Sequence, residues 1–410
     1  QSAYRNGHSV ETALLRVQSD IVTAVDQKRH VVLIMLDLSA AFDTVDHHIL
    51  LQRMRSKFGF GEHVLQWMSS YLSDREQCVR IGKETSSNVK LKCGVPQGSV
   101  LGPILFSLYI SPLYDIAMKY GVQTHQYADE CQLYIQLSAD QPNDILKMKK
   151  NLEECVHEIS MWMAANKLKL NDDKTEVIVF TPPNIKPPST YESFKICNED
   201  IVPVTSVKDL GVFFDEHLRA ERQVNQICST GYFYLSNIAK IRKSLEKSSA
   251  EKLMHAFVSS RLDFCNGLLA FLPAGLIAKL QRLQNAAARV VTRCQKREHI
   301  TPILMQRHWL PVRERIIYKI ATISWKCIYG TAPNYLKDLL SIYEPARDLR
   351  SSGQVRLEVP QPRTELGKRA FSYAAPKIWN SLNDDIQHTA IFSVFKTKLK
   401  TFLFNTAFIT

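Results

Sequence analysis

Asp37 closes an almost unbroken apolar run, HVVLIMLDLS (30–39), and Asp129 stands beside Glu130 inside HQYADECQLYIQL (125–137). The first segment is rich in branched residues and does not alternate, which predicts a strand buried on both faces. The second predicts two strands joined by a tight turn with both carboxylates at its tip. If these strands are neighbours in one sheet, Asp37 and Asp129 converge, and converging carboxylates repel unless a divalent cation lies between them. A hard oxygen site of this kind favours Mg²⁺. Two such ions, about 3.5–4 Å apart, activate an attacking hydroxyl and stabilise a leaving phosphate oxygen, which is the chemistry of phosphoryl transfer. Spacing alone leaves another reading open, because an aspartate at the end of a strand also serves as a turn former or helix cap.

The elements that must position these groups can be read from pattern. SVETALLRVQSDIVTAVDQK (9–28) has apolar residues at helical spacing behind a Ser9 cap. DHHILLQRMRSKF (46–58), capped by Asp46, and EHVLQWMSSYL (62–72) also predict helices. EQCVRIGKETSSNVKLKCGV (76–95) predicts a β-hairpin, and the Gly/Pro-rich loop from Gly94 leads into a helix. The hairpin around Asp129 takes strands near 122–128 and 131–137. A long helix near 142–166 follows, then a strand at 175–180, a Pro-rich stretch (182–188) and short strands near 194–196, 201–204 and 210–214. From 217 onward the pattern is helical, most clearly in the amphipathic stretch 275–294.

Charge divides the chain. Residues 1–217 hold 22 Lys and Arg against 27 Asp and Glu, and residues 218–410 hold 30 against 13, within an overall net charge of +12. An acidic half suits a metal site, and a basic half with interspersed aromatics suits a nucleic acid. A solvated basic surface without a partner is the alternative. The nine cysteines include no CxxC pair and no metal-ligand spacing, and read as reduced, mostly buried thiols of an intracellular protein. No apolar run is long enough for a membrane span. The chain opens in mid-pattern without Met, which leads us to expect a segment of a longer product or a truncated gene. His47 and His48 are adjacent on a helix and point to different faces, which argues against a metal pair.

The motifs LDLSAAFDTVDH (36–47), GVPQGSVLGPILFSLYI (94–110), YADE (127–130), NKLKLNDDKTEVIVF (166–180) and VKDLGVFFD (207–215) stand in the order and at the spacing of motifs A to E of reverse transcriptases. They resemble the enzymes of non-LTR, LINE-type retrotransposons. YRNGHSVETALL resembles the segment ahead of motif A. LQRLQNAAARVV and HITPILMQRHWLPVRERI resemble the region after the polymerase core. The resemblance implies that Asp37, Asp129 and Glu130 bind metal, two Mg²⁺ ions with Mn²⁺ as a substitute. It implies that the peptide groups of Leu38, Ser39, Ala40 and Ala41 approach the incoming triphosphate, and that Phe42 underlies the sugar and excludes a 2′-hydroxyl. Core packing is the alternative role for Phe42. Gln97 would contact nucleotide or template, with Gly94 and Gly98 allowing close backbone approach, unless these residues only shape the turn. Lys174 matches a lysine that protonates the departing pyrophosphate, and Leu210, Gly211 and Val212 match the primer grip. Where the family has Tyr-Ala-Asp-Asp this chain ends the motif on Glu130, which keeps the charge and moves the carboxylate out by one methylene.

The implied fold is α/β, of the α+β kind: a right-hand polymerase with an antiparallel palm sheet. Fingers (partial) and palm would occupy 1–217, a helical basic thumb-like region 218–340, and a region of unassigned fold 341–410. The implied function is RNA-directed DNA polymerase, with an RNA template, a DNA primer and dNTPs as partners and no membrane association. By resemblance the protein would act in nucleus and cytoplasm. A second reading is a copy without catalysis that binds RNA or DNA through its basic half.

Overall fold

A computed structural model describes residues 1–39, 41–138, 142–171, 174–182, 185, 188–197, 199–344 and 355–409. They fold into two compact units, Gln1–Asn6 with Arg29–Thr205 and Gly7–Lys28 with Ser206–Thr410. The first helix, α1 (Val10–Asp26), therefore folds with the second unit although it precedes the first unit's sheet. The predicted Ser9 cap forms: its hydroxyl accepts the Thr12 N–H while the Thr12 hydroxyl accepts the Ser9 N–H. Within that unit Glu11 accepts the Gly267 N–H at 2.8 Å, and Asp26 accepts the Thr364 N–H at 2.7 Å.

Along the chain the first unit presents β1 (Arg29–Leu36), β2 (Leu38–Ser39), α2 (His47–Ser56), α3 (Glu62–Leu72), β3 (Glu76–Gln77), β4 (Arg80–Ile81), β5 (Glu84–Thr85) and β6 (Val89–Lys90). There follow α4 (Gly102–Ile110), α5 (Pro112–Lys119), β7 (Gln123–Tyr127), β8 (Glu130–Ser138), α6 (Pro142–Ala165), β9 (Lys169–Leu170), β10 (Glu176–Phe180), β11 (Phe194–Ile196) and β12 (Glu199–Ile201). The main sheet is antiparallel in the order β10-β1-β8-β7. Val32, Ile34 and Leu36 of β1 and Cys131, Leu133 and Ile135 of β8 turn one face toward α4 and α6, onto Phe106, Tyr109, Leu152 and Ile159. Each fully buried side chain of this size contributes about 1.5–3 kcal/mol. Asp46 caps α2 as predicted, its carboxylate accepting the Ile49 N–H.

Some elements differ from expectation. The 76–95 segment forms the predicted hairpin, but its ladder is broken into two-residue pairings, β3 with β6 and β4 with β5, whose residues are exposed. The helix after Gly94 is divided at Ser111, because Pro112 has no N–H to continue it and starts α5 instead. The strand expected at 201–204 lies at Glu199–Ile201. Of the cysteines, Cys131, Cys155, Cys265 and Cys327 are buried, whereas Cys78 and Cys93 are exposed.

The second unit continues with β13 (Ser206–Asp209), β14 (Val212–Asp215), α7 (Glu221–Ile241), α8 (Lys247–Met254), α9 (Ser260–Asp263), α10 (Ala274–Thr292), α11 (Thr301–Gln306), α12 (Val312–Ile328), α13 (Asn334–Lys337), α14 (Phe371–Trp379), α15 (Asp384–Gln387) and α16 (Phe392–Phe408). The indoles of Trp325 and Trp379 lie near Phe395, with centroids 5.8 and 6.0 Å away. Their N–H groups donate to the Thr389 and Val355 carbonyls at 2.8 and 2.7 Å, as buried indoles require. Buried arginines cap main chain here. Arg242 donates to the carbonyls of Leu245, Val290 and Val291, the last two at the end of α10, and Arg369 donates to that of Leu218.

Candidate active site

β1 pairs with β8 as far as Leu36 opposite Cys131, and β2 then pairs with β9, Leu38 opposite Leu170. Asp37 lies at this change of partner, where the Asn171 N–H donates to its carbonyl at 3.0 Å. Continued by one residue, the antiparallel register sets Asp37 level with Glu130. The alternation that turns Leu36 and Cys131 into the helix-backed core turns both carboxylates toward the opposite face. The two strands are thus adjacent, and the register brings Glu130 level with Asp37, while Asp129 stands one residue earlier, in the turn.

Tyr127 opposite Glu130 closes a two-residue turn through Ala128 and Asp129. Ala128 has φ 55°, a left-handed conformation that costs an L residue about 1–2 kcal/mol. Gln1 holds it there. Its side-chain amide donates to the Ala128 carbonyl at 3.0 Å and accepts the Ala128 N–H at 2.9 Å. Next to it, the Ser2 N–H donates to the Gln126 carbonyl and the Ser2 hydroxyl meets His125 Nε2, both at 2.8 Å.

Lys174 Nζ lies 3.0 Å from Asp37 Oδ2, and Asn171 Nδ2 donates to the same oxygen at 3.3 Å. The ammonium is held above the usual lysine range first by its hydrogen bond to Asp37 and then by that carboxylate's charge, against desolvation, with lesser contributions from the charges of Asp129 and Glu130. One cation therefore senses all three carboxylates. Among the described residues no three His, Cys, Asp or Glu side chains group into a ready metal site, and Lys174 is the cation drawn to Asp37. The donor set is all carboxylate oxygen, which suits a hard divalent ion, and its field already attracts a positive charge.

The remaining sequence-assigned residues fall in three places. Leu38 and Ala41 are buried, Ser39 is in β2, and Ala40 lies outside the described residues. Phe42 is half-buried, stacked on Phe106 with centroids 4.5 Å apart, so one face of its ring is core packing. Gln97 is exposed, and its amide donates to Asp43 Oδ1 at 2.8 Å. That loop is joined to the one after Asp37 through Gly94 N–H to Val45 O, Val95 N–H to Phe42 O, and His47 Nε2–H to Gly94 O at 2.7 Å. A Cβ on Gly94 would lie 2.9 Å from the Asp43 carbonyl oxygen, whereas over Gly98 there is open space and only its φ of 79° calls for glycine. Leu210, Gly211 and Val212 belong to the second unit, Leu210 and Gly211 forming the turn between β13 and β14. Gln1, Asn171 and Asp43 are site residues that sequence reasoning missed. Asp43 and Asn171 stand within quoted motifs, but polar side chains that bond one another, or an amide such as Gln1's that reads main chain, leave no periodic signal.

An antiparallel sheet backed by helices on one face, with carboxylates gathered at the adjoining ends of two strands, is the palm of a right-hand polymerase. Residues 1–214 match the family model described as reverse transcriptase (RNA-dependent DNA polymerase), and the chain belongs to that family. Over 305 residues it is 27% identical to a probable RNA-directed DNA polymerase from transposon X-element of Drosophila melanogaster, covering 72% of this chain and 32% of that one. A probable RNA-directed DNA polymerase from transposon BS of the same species is 26% identical over 306 residues, with 72% and 32% covered. The chain thus spans about a third of these relatives' length. The structure of apo telomerase from Candida tropicalis aligns with 82% of this chain and 55% of its own at 12% identity, with a TM-score of 0.40. Reverse transcriptases work with divalent metal ions. No described helix is long and apolar enough to cross a membrane.

Proposed function

We propose that the chain is an RNA-directed DNA polymerase of a mobile element, adding deoxynucleotides to a primer 3′-hydroxyl on an RNA template. The observation that supports this reading best is the register that sets Asp37 level with Glu130 at the adjoining ends of two paired strands, beside the turn that carries Asp129 and with the Lys174 ammonium on Asp37. In this reading those three carboxylates hold two Mg²⁺ ions, for which Mn²⁺ substitutes. The ions, when bound, supply Lewis acidity at the attacking hydroxyl and charge neutralisation at the leaving oxygen. Lys174 leaves Asp37 and donates a proton to the departing pyrophosphate. Phe42 supports the sugar on its free face, Gln97 meets nucleotide or template while Asp43 orients it, and Leu210 to Val212 hold the primer end. The first unit supplies palm and partial fingers, and residues 218–340 the thumb.

Primer extension on poly(rA)/oligo(dT) with Mg²⁺ tests the assignment. Asp37→Ala is expected to lower the rate by on the order of a thousandfold, several kcal/mol of lost charge stabilisation. Equal extension by Asp37→Ala and the native chain would remove the polymerase reading of this site. Nucleic-acid binding without extension by either protein would replace it with the binding-only reading.

A further inference from the structure

A concavity of about 460 Å³ in the second unit plays no part in the chemistry above. It is lined from the α8 side by Glu251 and His255, from α9 and the segment after it by Asp263 and Asn266, from the α11–α12 junction by Arg307 to Leu310, and from α16 by Lys400. His255 opens a π-helical turn between α8 and α9, an irregularity that recurs at binding sites. Its ring lies 5.0 Å from that of Trp309, and Tyr318 adds a third ring to the wall.

The carboxylates here are already engaged. Glu251 holds Arg307 at 3.3 Å, Asp263 takes Arg315 through both oxygens, and Glu11 holds the lining Lys319 at 3.0 Å. Lys400 is exposed and has no ionic partner among the described residues. Asn266 is 2% exposed; its Nδ2 faces Asp263 Oδ1 at 3.5 Å and its Oδ1 has no hydrogen-bond partner. Reversing the amide would set Oδ1 against the Asp263 carboxylate, so the unmet group is an acceptor. Arg307 Nε is likewise a buried donor without a partner. An orphaned buried polar group is costly to leave unmet, and two of them lining one concavity call for a partner there.

A ligand that answers these groups carries an N–H for Asn266, an anionic oxygen for Lys400 and Arg307, and a flat face for the rings. An inorganic anion offers the rings no flat face, and neither does an acidic peptide without aromatic side chains. We infer that the concavity receives an unpaired nucleotide of a nucleic-acid strand, its base edge on Asn266 Oδ1 and its phosphate on Lys400. A strand is favoured over a free nucleotide because the second unit holds 33 Lys and Arg against 19 Asp and Glu, and so attracts a polyanion. The inference goes beyond the polymerase reading and requires strand binding but no catalysis.

Fluorescence anisotropy of the full chain with a single-stranded RNA 12-mer, over a salt series, tests it. Lys400→Glu is expected to weaken binding about tenfold and to lower the slope of log affinity against log salt by about one. Lys240→Glu, an equal charge change on α7, weakens it less. Asn266→Leu weakens binding several-fold to the ordinary 12-mer and not to an abasic one. Asp37→Ala leaves all these differences in place, so failure of the polymerase reading and failure of this site are told apart. Saturable AMP binding that Lys400→Glu abolishes, with unchanged RNA affinity, overturns the strand assignment in favour of a free nucleotide. Identical RNA affinity and salt slope for the native chain and the folded Lys400→Glu protein, with no AMP binding, overturns the site altogether.

Discussion

The two units handle charge in opposite ways. The first is nearly neutral, with 19 Lys and Arg against 21 Asp and Glu, yet it places Asp37, Asp129 and Glu130 at the adjoining ends of paired strands, with Lys174 on Asp37. The second is strongly basic, 33 against 19, yet turns some of that charge inward. Arg242 and Arg369 are 8% and 6% exposed and donate to main-chain carbonyls, while Arg315 is paired with Asp263. Net charge read from composition therefore overstates what the second unit offers a polyanion, and understates the local field in the first. Placement decides, because a cation that satisfies a buried carbonyl is structural and one on an open face is electrostatic.

The largest effect that would break this contrast is on stability. Arg242→Met removes charged hydrogen bonds and leaves three carbonyls unmet, and is expected to destabilise the second unit by about 3 kcal/mol in urea unfolding. Arg242→Lys recovers only part of this, since an ammonium cannot reproduce the planar fork. A cost below about 0.5 kcal/mol, usual for surface substitutions, would make Arg242 an ordinary surface charge in solution and remove the contrast.

The next prediction sharpens the first unit's side of it. If Glu130 misplaces its carboxylate by a methylene, Glu130→Asp is expected to raise primer-extension rates by roughly one to two orders of magnitude, the scale of a displacement of about 1 Å at a reacting centre. Equal rates for the two proteins would show that the site accepts the longer side chain.

The smallest effect lies in the β13–β14 turn, where both Leu210 and Gly211 have positive φ, 45° and 86°. Such turns favour Asn-Gly. Leu210→Asn is expected to stabilise the second unit by roughly 0.5–1 kcal/mol, read as a raised unfolding midpoint. A simultaneous loss of primer affinity would show that the leucine side chain touches the nucleic acid, as the primer-grip role requires.

Much of the first unit can be read directly from its residues. The apolar run before Asp37, short and rich in branched residues, reads as a strand covered on both faces, and the alternation after Glu130 points to the residues of β8 that face the core. Ser9 and Asp46 cap helices because their oxygens lie within reach of free N–H groups, a local property. The partner of α1 is not local. Its apolar residues demand cover, but nothing in them says that the cover comes from the other end of the chain, through Gly267 and Thr364. The β2–β9 pairing is only two residues long and too short to leave a pattern. The charge division at 217 was visible, but the inward turn of Arg242 and Arg369 was not, since burial of a long polar side chain depends on tertiary neighbours.

Gln1 alters what counts as a transferable piece of this protein. The turn that carries Asp129 sits inside a short stretch of sequence, yet its strained peptide is gripped on both sides by an amide more than a hundred positions upstream. A chimera that moves residues 94–180 as one cassette leaves that grip behind and frees Ala128 to relax toward an ordinary backbone conformation. A working graft of this palm carries Gln1 and Ser2 along with the sheet.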